Sequence, residues 1–309
     1  MKAVIVLILV LFFMVGCIGS GPASPKFEDY KTGVKELKVV DSESSFPKLR
    51  HQNSRIKGTF RLHNQAAYDA AEIKVSLLGL DREYVKIEDT ASVKKGIAEV
   101  GLVEGRGLTN DKGEIVDVEF EGFVSSLPPG TGSLFLNYFV NIKYSSKVEF
   151  SPTICVDSGL YNFGGCDGTN FENSKGNVRP QTYSGQGAPL AITYLEIIPY
   201  GSSDSEIEFR MTLRHIGGRY GKVGQIILNR ASLTSNPLSC VFKGGDVEDS
   251  RSVLMPDAQE IDLICNGQIE SQAPYKSPLY LEIFYEYELK MPRALELKGS
   301  ASTSGGFSS

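Results

Sequence analysis

Tryptophan is absent from the 309 residues, and histidine occurs only three times. Helical periodicity is missing too: after Gly33 no apolar pattern holds spacings of three, four and seven long enough for three helical turns. That excludes the α/β and all-α classes, which need such stretches. Basic residues are not in excess, with 32 Lys and Arg against 37 Asp and Glu for a formal charge of −5. The electrostatic footprint of a nucleic-acid binder is therefore lacking. No G-x-S-x-G, H-E-x-x-H, Walker A, strand-linked G-x-G-x-x-G or EF-hand segment occurs. The glycines from Gly101 to Gly107 lie in a loop among strands, without the following helix that a phosphate site uses.

What is present begins with the one long apolar run, Ala3 to Val15, after a single Lys2. Its thirteen residues fall within the roughly 7–15 of a signal-peptide core and short of the roughly 20 that span a bilayer. The run ends in Met14-Val15-Gly16-Cys17, which resembles a prokaryotic lipobox with Met in place of the usual Leu. The resemblance implies cleavage after residue 16 and lipid attachment at Cys17. Loss of Lys2 with the signal takes the formal charge to −6. An uncleaved signal anchor is the alternative, since extension through Gly19 gives a marginal span. The small, breaker-rich stretch Ile18 to Pro25 reads as a tether, and residues 17–32 are expected to link anchor to fold. A diacylglyceryl group supplies the two chains that stable anchoring needs.

With Cys17 assigned to lipid, Cys155, Cys166, Cys240 and Cys265 remain on the oxidising side of a membrane. Three pairings are formally allowed, and the local ones are Cys155 with Cys166 and Cys240 with Cys265. Zinc is the competing reading, but no C-x-x-C occurs, and ten and twenty-four intervening residues do not make a usual ligand spacing.

The remaining sequence alternates with period two. Ile56, Gly58, Phe60 and Leu62 stand against Lys57, Thr59, Arg61 and His63; Ile73, Val75 and Leu77 stand against Lys74 and Ser76. The longest case sets Leu134, Leu136, Tyr138, Val140, Ile142 and Tyr144 against Ser133, Phe135, Asn137, Phe139, Asn141 and Lys143. Short alternating strands between turn signals predict antiparallel β-sandwiches. The order then recurs: Ile207 to Arg214 matches Ile56 to His63, and each is followed by a histidine-led break. Leu281 to Lys290 mirrors the strand ending at Tyr144.

Two tandem units follow, an Ig-like β-sandwich over 33–150 and a second over 188–292. A Gly/Asn/Ser-rich linker over 151–187, closed by its own disulfide, joins them, and a disordered tail covers 293–309. Cys240 and Cys265 both point inward, so their bridge joins either two strands or the two sheets.

His63-Asn64-Gln65-Ala66-Ala67 followed by the strand Glu72 to Leu77 resembles the adhesion-type, CARDB-like sandwich domains of archaeal cell-surface lipoproteins. Leu127-Pro128-Pro129-Gly130 and Gly185-Gln186-Gly187-Ala188-Pro189-Leu190 are similar to segments of the same family. The resemblance implies an Ig-like fold and a surface location. It supplies no catalytic residue.

His63 and His215 recur at the same place in the two units, which marks them as parts of the fold, since active sites are usually unique assemblies. His51 sits in a polar segment. Asp157 and Asp167 put oxygen ligands beside the linker cysteines where calcium would rigidify a hinge, but Asp/Gly turns are the plainer account. No cofactor or metal is expected. Phe135, Phe139 and Phe284 break the alternation by falling on the outward face, as candidates for an interaction surface. A covering loop, or contact between the sandwiches, is the more ordinary account.

The sequence thus predicts a non-enzymatic, membrane-anchored surface module that acts as spacer, adhesin or envelope scaffold and meets a surface protein or glycan. The alternative is a solute-binding lipoprotein of a transport system, a class usually built as α/β.

Overall fold

The computed structural model describes residues 29–40, 46–156, 180–199, 206–249, 251–269 and 275–299. Cys17, Asp157, Cys166 and Asp167 lie outside them. After a 3₁₀ turn at Asp29–Lys31, the first half of the chain holds β1 (Leu37–Val40), β2 (Leu49–His51), β3 (Ser54–Asn64), β4 (Ala70–Leu78), β5 (Val85–Ile87), β6 (Val93–Lys94), β7 (Ile97–Val103), β8 (Ile115–Val124), β9 (Ser133–Phe150) and β10 (Thr153–Val156). The second half holds β11 (Gln181–Thr182), β12 (Leu190–Pro199), β13 (Glu206–His215), β14 (Gly221–Leu233), β15 (Asn236–Pro237), β16 (Ser239–Lys243), β17 (Asp246–Asp249), β18 (Ser252–Leu254), β19 (Glu260–Gln268) and β20 (Tyr275–Lys298). The fold is all-β and antiparallel, apart from a parallel pairing of β2 with β20 and a parallel bridge between Gly33 and Gln186.

Three sheets form. A four-stranded sheet runs β1-β3-β8-β5 and a five-stranded one β11-β12-β13-β19-β16. The third has eleven strands, with the path β17-β18-β14-β20-β9-β4-β7-β6 and with β2, β10 and β15 paired off it. Its axis is the pairing of the two longest strands, which run in register from Leu281 opposite Phe150 to Lys298 opposite Ser133. That path is palindromic: β9 and β20 are neighbours at the centre, β4 and β14 flank them, and each flank carries two further strands. Both flanking strands are bulged, between Ala71 and Lys74 in β4 and between Val223 and Ile226 in β14. The recurrence seen in the sequence becomes an approximate two-fold axis, at which Tyr144 and Tyr287 stand opposite each other.

The small sheets cover the inner face of the large one side by side. Phe46 stacks on Phe60 of β3 at 5.8 Å and meets Tyr138 of β9 edge-on at 5.9 Å, and Phe150 at the other end of β9 packs on Tyr183 at 4.8 Å. Alternation explains the arrangement: Tyr138, Val140, Ile142, Tyr144, Val148 and Phe150 of β9 and Leu279, Leu281, Ile283, Tyr285, Tyr287 and Leu289 of β20 are buried, and one apolar cluster runs through both halves.

The expected segmentation changes accordingly. The described ends of the predicted linker are built into the fold, since β10 pairs with β20 and β11 with β12, and residues 157–179 lie outside the described residues. The Gln186 amide bonds both the nitrogen and the carbonyl of Ile192, bridging the bulge in β12. The second unit does not stop at residue 292: β20 continues to Lys298, with Leu295 and Leu297 fully buried. Pro292 lies opposite Phe139 inside the paired stretch. Residues 300–309 lie outside the described residues.

The predicted tether also reaches only as far as the described turn. From Asp29 to Glu36 the chain crosses the seam between the halves and bonds to both. Lys31 pairs with Glu149 at 3.2 Å, and the Gly187 nitrogen donates to the Gly33 carbonyl at 2.9 Å. The Gln65 nitrogen donates to the Glu36 carbonyl, and the Gly218 nitrogen to Glu36 Oε2 at 3.1 Å. Gly187 needs its φ of +74°, and a Cβ there would stand 2.3 Å from the Tyr30 carbonyl oxygen.

Candidate interaction face

The large sheet has one face under the small sheets and one turned outward, and the register orders the outward side chains in rows across β4, β9 and β20. At one end Leu78, Phe139 and Pro292 form a row, followed by Ser76, Asn141 and Lys290. Ile97 of β7 adjoins Ser76, and Phe135 stands four residues from Phe139 along β9. Phe135 is 66% exposed, Phe139 46%, Leu78 42% and Ile97 41%. Neither a described loop nor contact between the sandwiches covers the phenylalanines, which corrects the plainer expectation. The physical reason is that the sandwiches join edge to edge through the large sheet, which leaves Phe135 and Phe139 on its outer face uncovered by the described residues.

Toward the centre the rows become charged. Lys74, Lys143 and Glu288 follow, with Glu99 beyond Lys74 and Lys222 beyond Glu288. The two strand bulges open a groove of about 340 Å³ here, lined by Glu72, Lys74, Lys143, Lys222, Glu286 and Glu288 around Ser145 and Gly224. Lys290 and Lys143 approach Glu288 at 3.1 and 3.5 Å, and against the cost of partial burial they hold its carboxyl below the usual range.

The far end carries Phe284 beside Ile227, with Lys147 opposite. Glu149 at 2.7 Å and Glu282 at 3.0 Å raise the Lys147 ammonium above the ordinary lysine range. Phe284 is 41% exposed but does not join the other two phenylalanines. Phe139 lies opposite Pro292, eight residues away, or about 26 Å along a strand. The three predicted residues therefore split into one platform and one separate spot.

The histidines behave as parts of the fold. His63 Nε2 lies 2.7 Å from the Lys112 carbonyl oxygen, and its Nδ1 lies 3.2 Å from the Gln65 amide. His215 Nε2 lies 3.0 Å from the Tyr287 hydroxyl, which donates to Glu36 Oε2 at 3.0 Å. With that proton committed to Glu36, the imidazole is the donor to Tyr287. Burial holds His215 below its ordinary pKa, with Glu36 opposing, and burial likewise raises Tyr287 far above the usual tyrosine range. Glu36 and Tyr287 were invisible as partners in the sequence, where they are 251 positions apart.

Cys240 and Cys265 are bonded and stand opposite each other on adjacent strands β16 and β19, so the bridge joins two strands of one sheet. Cys155 is also disulfide-bonded, and its predicted partner lies outside the described residues. Among the described residues no group of three or more His, Cys, Asp or Glu side chains is placed to hold a metal ion.

No family model matches the chain, and no curated protein matches it. Among solved structures, the crystal structure of the CupB6 tip adhesin from Pseudomonas aeruginosa aligns with 87% of this chain and 97% of its own at 10% identity. Its TM-score of 0.18 is too low for the likeness to carry any argument about fold or role.

Proposed function

We propose that this chain is a non-enzymatic interaction module, held at the cell surface by a lipid on Cys17, which presents the outward face of β9 to an envelope or surface partner. One observation carries the reading: Phe135 and Phe139 stand exposed on the outer face of a sheet that both sandwiches brace from behind. Large aromatics left in water on a rigid support are the composition of a binding surface. The export signature, the small-residue stretch after Cys17 and the disulfides support a surface address.

The test is fractionation of producing cells, with isolated envelopes then mixed with the purified full chain. Wild-type protein is expected in the membrane fraction, released to the soluble fraction by Cys17→Ser, and to pellet with delipidated envelopes. Phe135→Ser/Phe139→Ser, which alters only exposed side chains, is expected to abolish pelleting while leaving the melting temperature in place. Equal pelleting by both proteins would overturn the role of this face, and unchanged membrane retention of Cys17→Ser would overturn the lipid anchor.

A further inference from the structure

The outward positions of β9 read Ser133, Phe135, Asn137, Phe139 and Asn141, so that aromatic rings alternate with amides along nine residues without a charge. The aromatics are about 13 Å apart, with an amide midway, a span of roughly two to three hexose units. The charged neighbours on β20 have partners, Glu296 with Lys298, and Lys290 with a Glu288 that it shares with Lys143. The β9 row itself carries no charge, whereas Arg82 and Lys95 line the recess beside Leu78 and Ile97, and the adjoining groove sets three lysines against three glutamates. The outward run of β20 in its own half, Lys276, Pro278, Tyr280 and Glu282, does not repeat the alternation, so the pattern is no by-product of the duplicated scaffold.

Asn141 supplies an independent observation. It is only 5% exposed, and its Oδ1 has no hydrogen-bond donor. Such an oxygen is costly to bury unpaired, and it lies on the same outward row, one position beyond Phe139. A hydroxyl proton would satisfy it once the side chains that shield it move aside.

We propose that this strip binds an uncharged polysaccharide, whose pyranose faces stack on Phe135 and Phe139 and whose hydroxyls bond Asn137 and Asn141. The weakly positive C–H face of a sugar ring complements the negative face of an aromatic ring, and amides match hydroxyls as both donors and acceptors. Every second outward position on β9 is polar, and the apolar Leu78 and Pro292 flank Phe139 on the adjoining strands. The inference rests on the proposed interaction role and names its partner.

Affinity electrophoresis of the full chain in neutral detergent tests it, through gels containing galactomannan, xyloglucan, hydroxyethyl cellulose or dextran, with pectate and heparin as acidic comparators. At least one neutral polymer is expected to retard the protein. Phe135→Ala and Phe139→Ala should each weaken that binding about five- to tenfold. Salt at about 1 M should leave it unchanged, since screening acts on charges alone. Retardation by none of the neutral polymers, retardation indifferent to both phenylalanines, or salt-sensitive retardation by the acidic polymers alone would overturn the polysaccharide assignment. If Phe135→Ser/Phe139→Ser still abolishes envelope binding in that event, the interaction role stands and only its partner falls. If it does not, both fall.

Discussion

Replacing Tyr287 with phenylalanine removes one oxygen from the seam between the two halves and should cost about 2–3 kcal/mol of stability. The hydroxyl accepts from His215 and donates to Glu36, both at 3.0 Å, and Tyr287 is 1% exposed. A hydrogen bond to a charged acceptor is worth about 1.5–3 kcal/mol and a neutral one about 0.5–1.5. Glu36 is only partly buried and keeps its bond from the Gly218 nitrogen, so water offsets part of the loss at the carboxylate. Urea titration and thermal melting of Tyr287→Phe read the destabilisation, which corresponds to a fall in Tm of about 4–8 °C. The double-mutant cycle with Glu36→Ala isolates the link between β20 and the N-terminal segment, with an expected coupling of about 1–2 kcal/mol. A coupling below about 0.5 kcal/mol, the usual scatter of independent sites, would refute the view that this segment clasps the two halves.

Three further outcomes follow from the same contacts. His215 has its pKa lowered by burial, so the unfolded chain takes up a proton first. Its contribution is complete above the ordinary value of about 6.5 and is lost as pH falls from there through the folded pKa, and His215→Gln should flatten the stability profile across that window. Gly187→Ala forces a left-handed φ on a residue with a side chain and drives its Cβ toward the Tyr30 carbonyl, and limited proteolysis should then cut near Lys31 well before the wild type is cut. Cys240→Ser/Cys265→Ser should lower stability by about 3.5 kcal/mol, from the entropy of a loop closed between residues 25 apart, measured as a shift in the urea midpoint.

Much of this architecture is legible in the sequence because half-buried strands write their two faces into alternate residues. The buried series from Tyr138 to Tyr144 and the outward placement of Phe135 and Phe139 both come from that period. The facing cysteines and the recurrence of histidine after equivalent strands were open to the same reading. What local pattern cannot contain is partner choice between distant strands. That β9 pairs with β20 is a statement about residues more than 130 positions apart, and it turns two expected tandem units into one braced sheet. Leu78 and Ile97 joined the platform only through register, and Asn141 became notable only when its oxygen was found buried without a donor.

Site-specific photo-crosslinking on intact cells tests most directly whether the outward face of β9 is the working surface. A photoreactive phenylalanine analogue at position 135 or 139 should give a discrete high-mass adduct. The same analogue at Glu119, exposed on β8 of the opposite small sheet, should give none. Adducts of equal yield from all three positions, or from Glu119 alone, would contradict the assignment of this face.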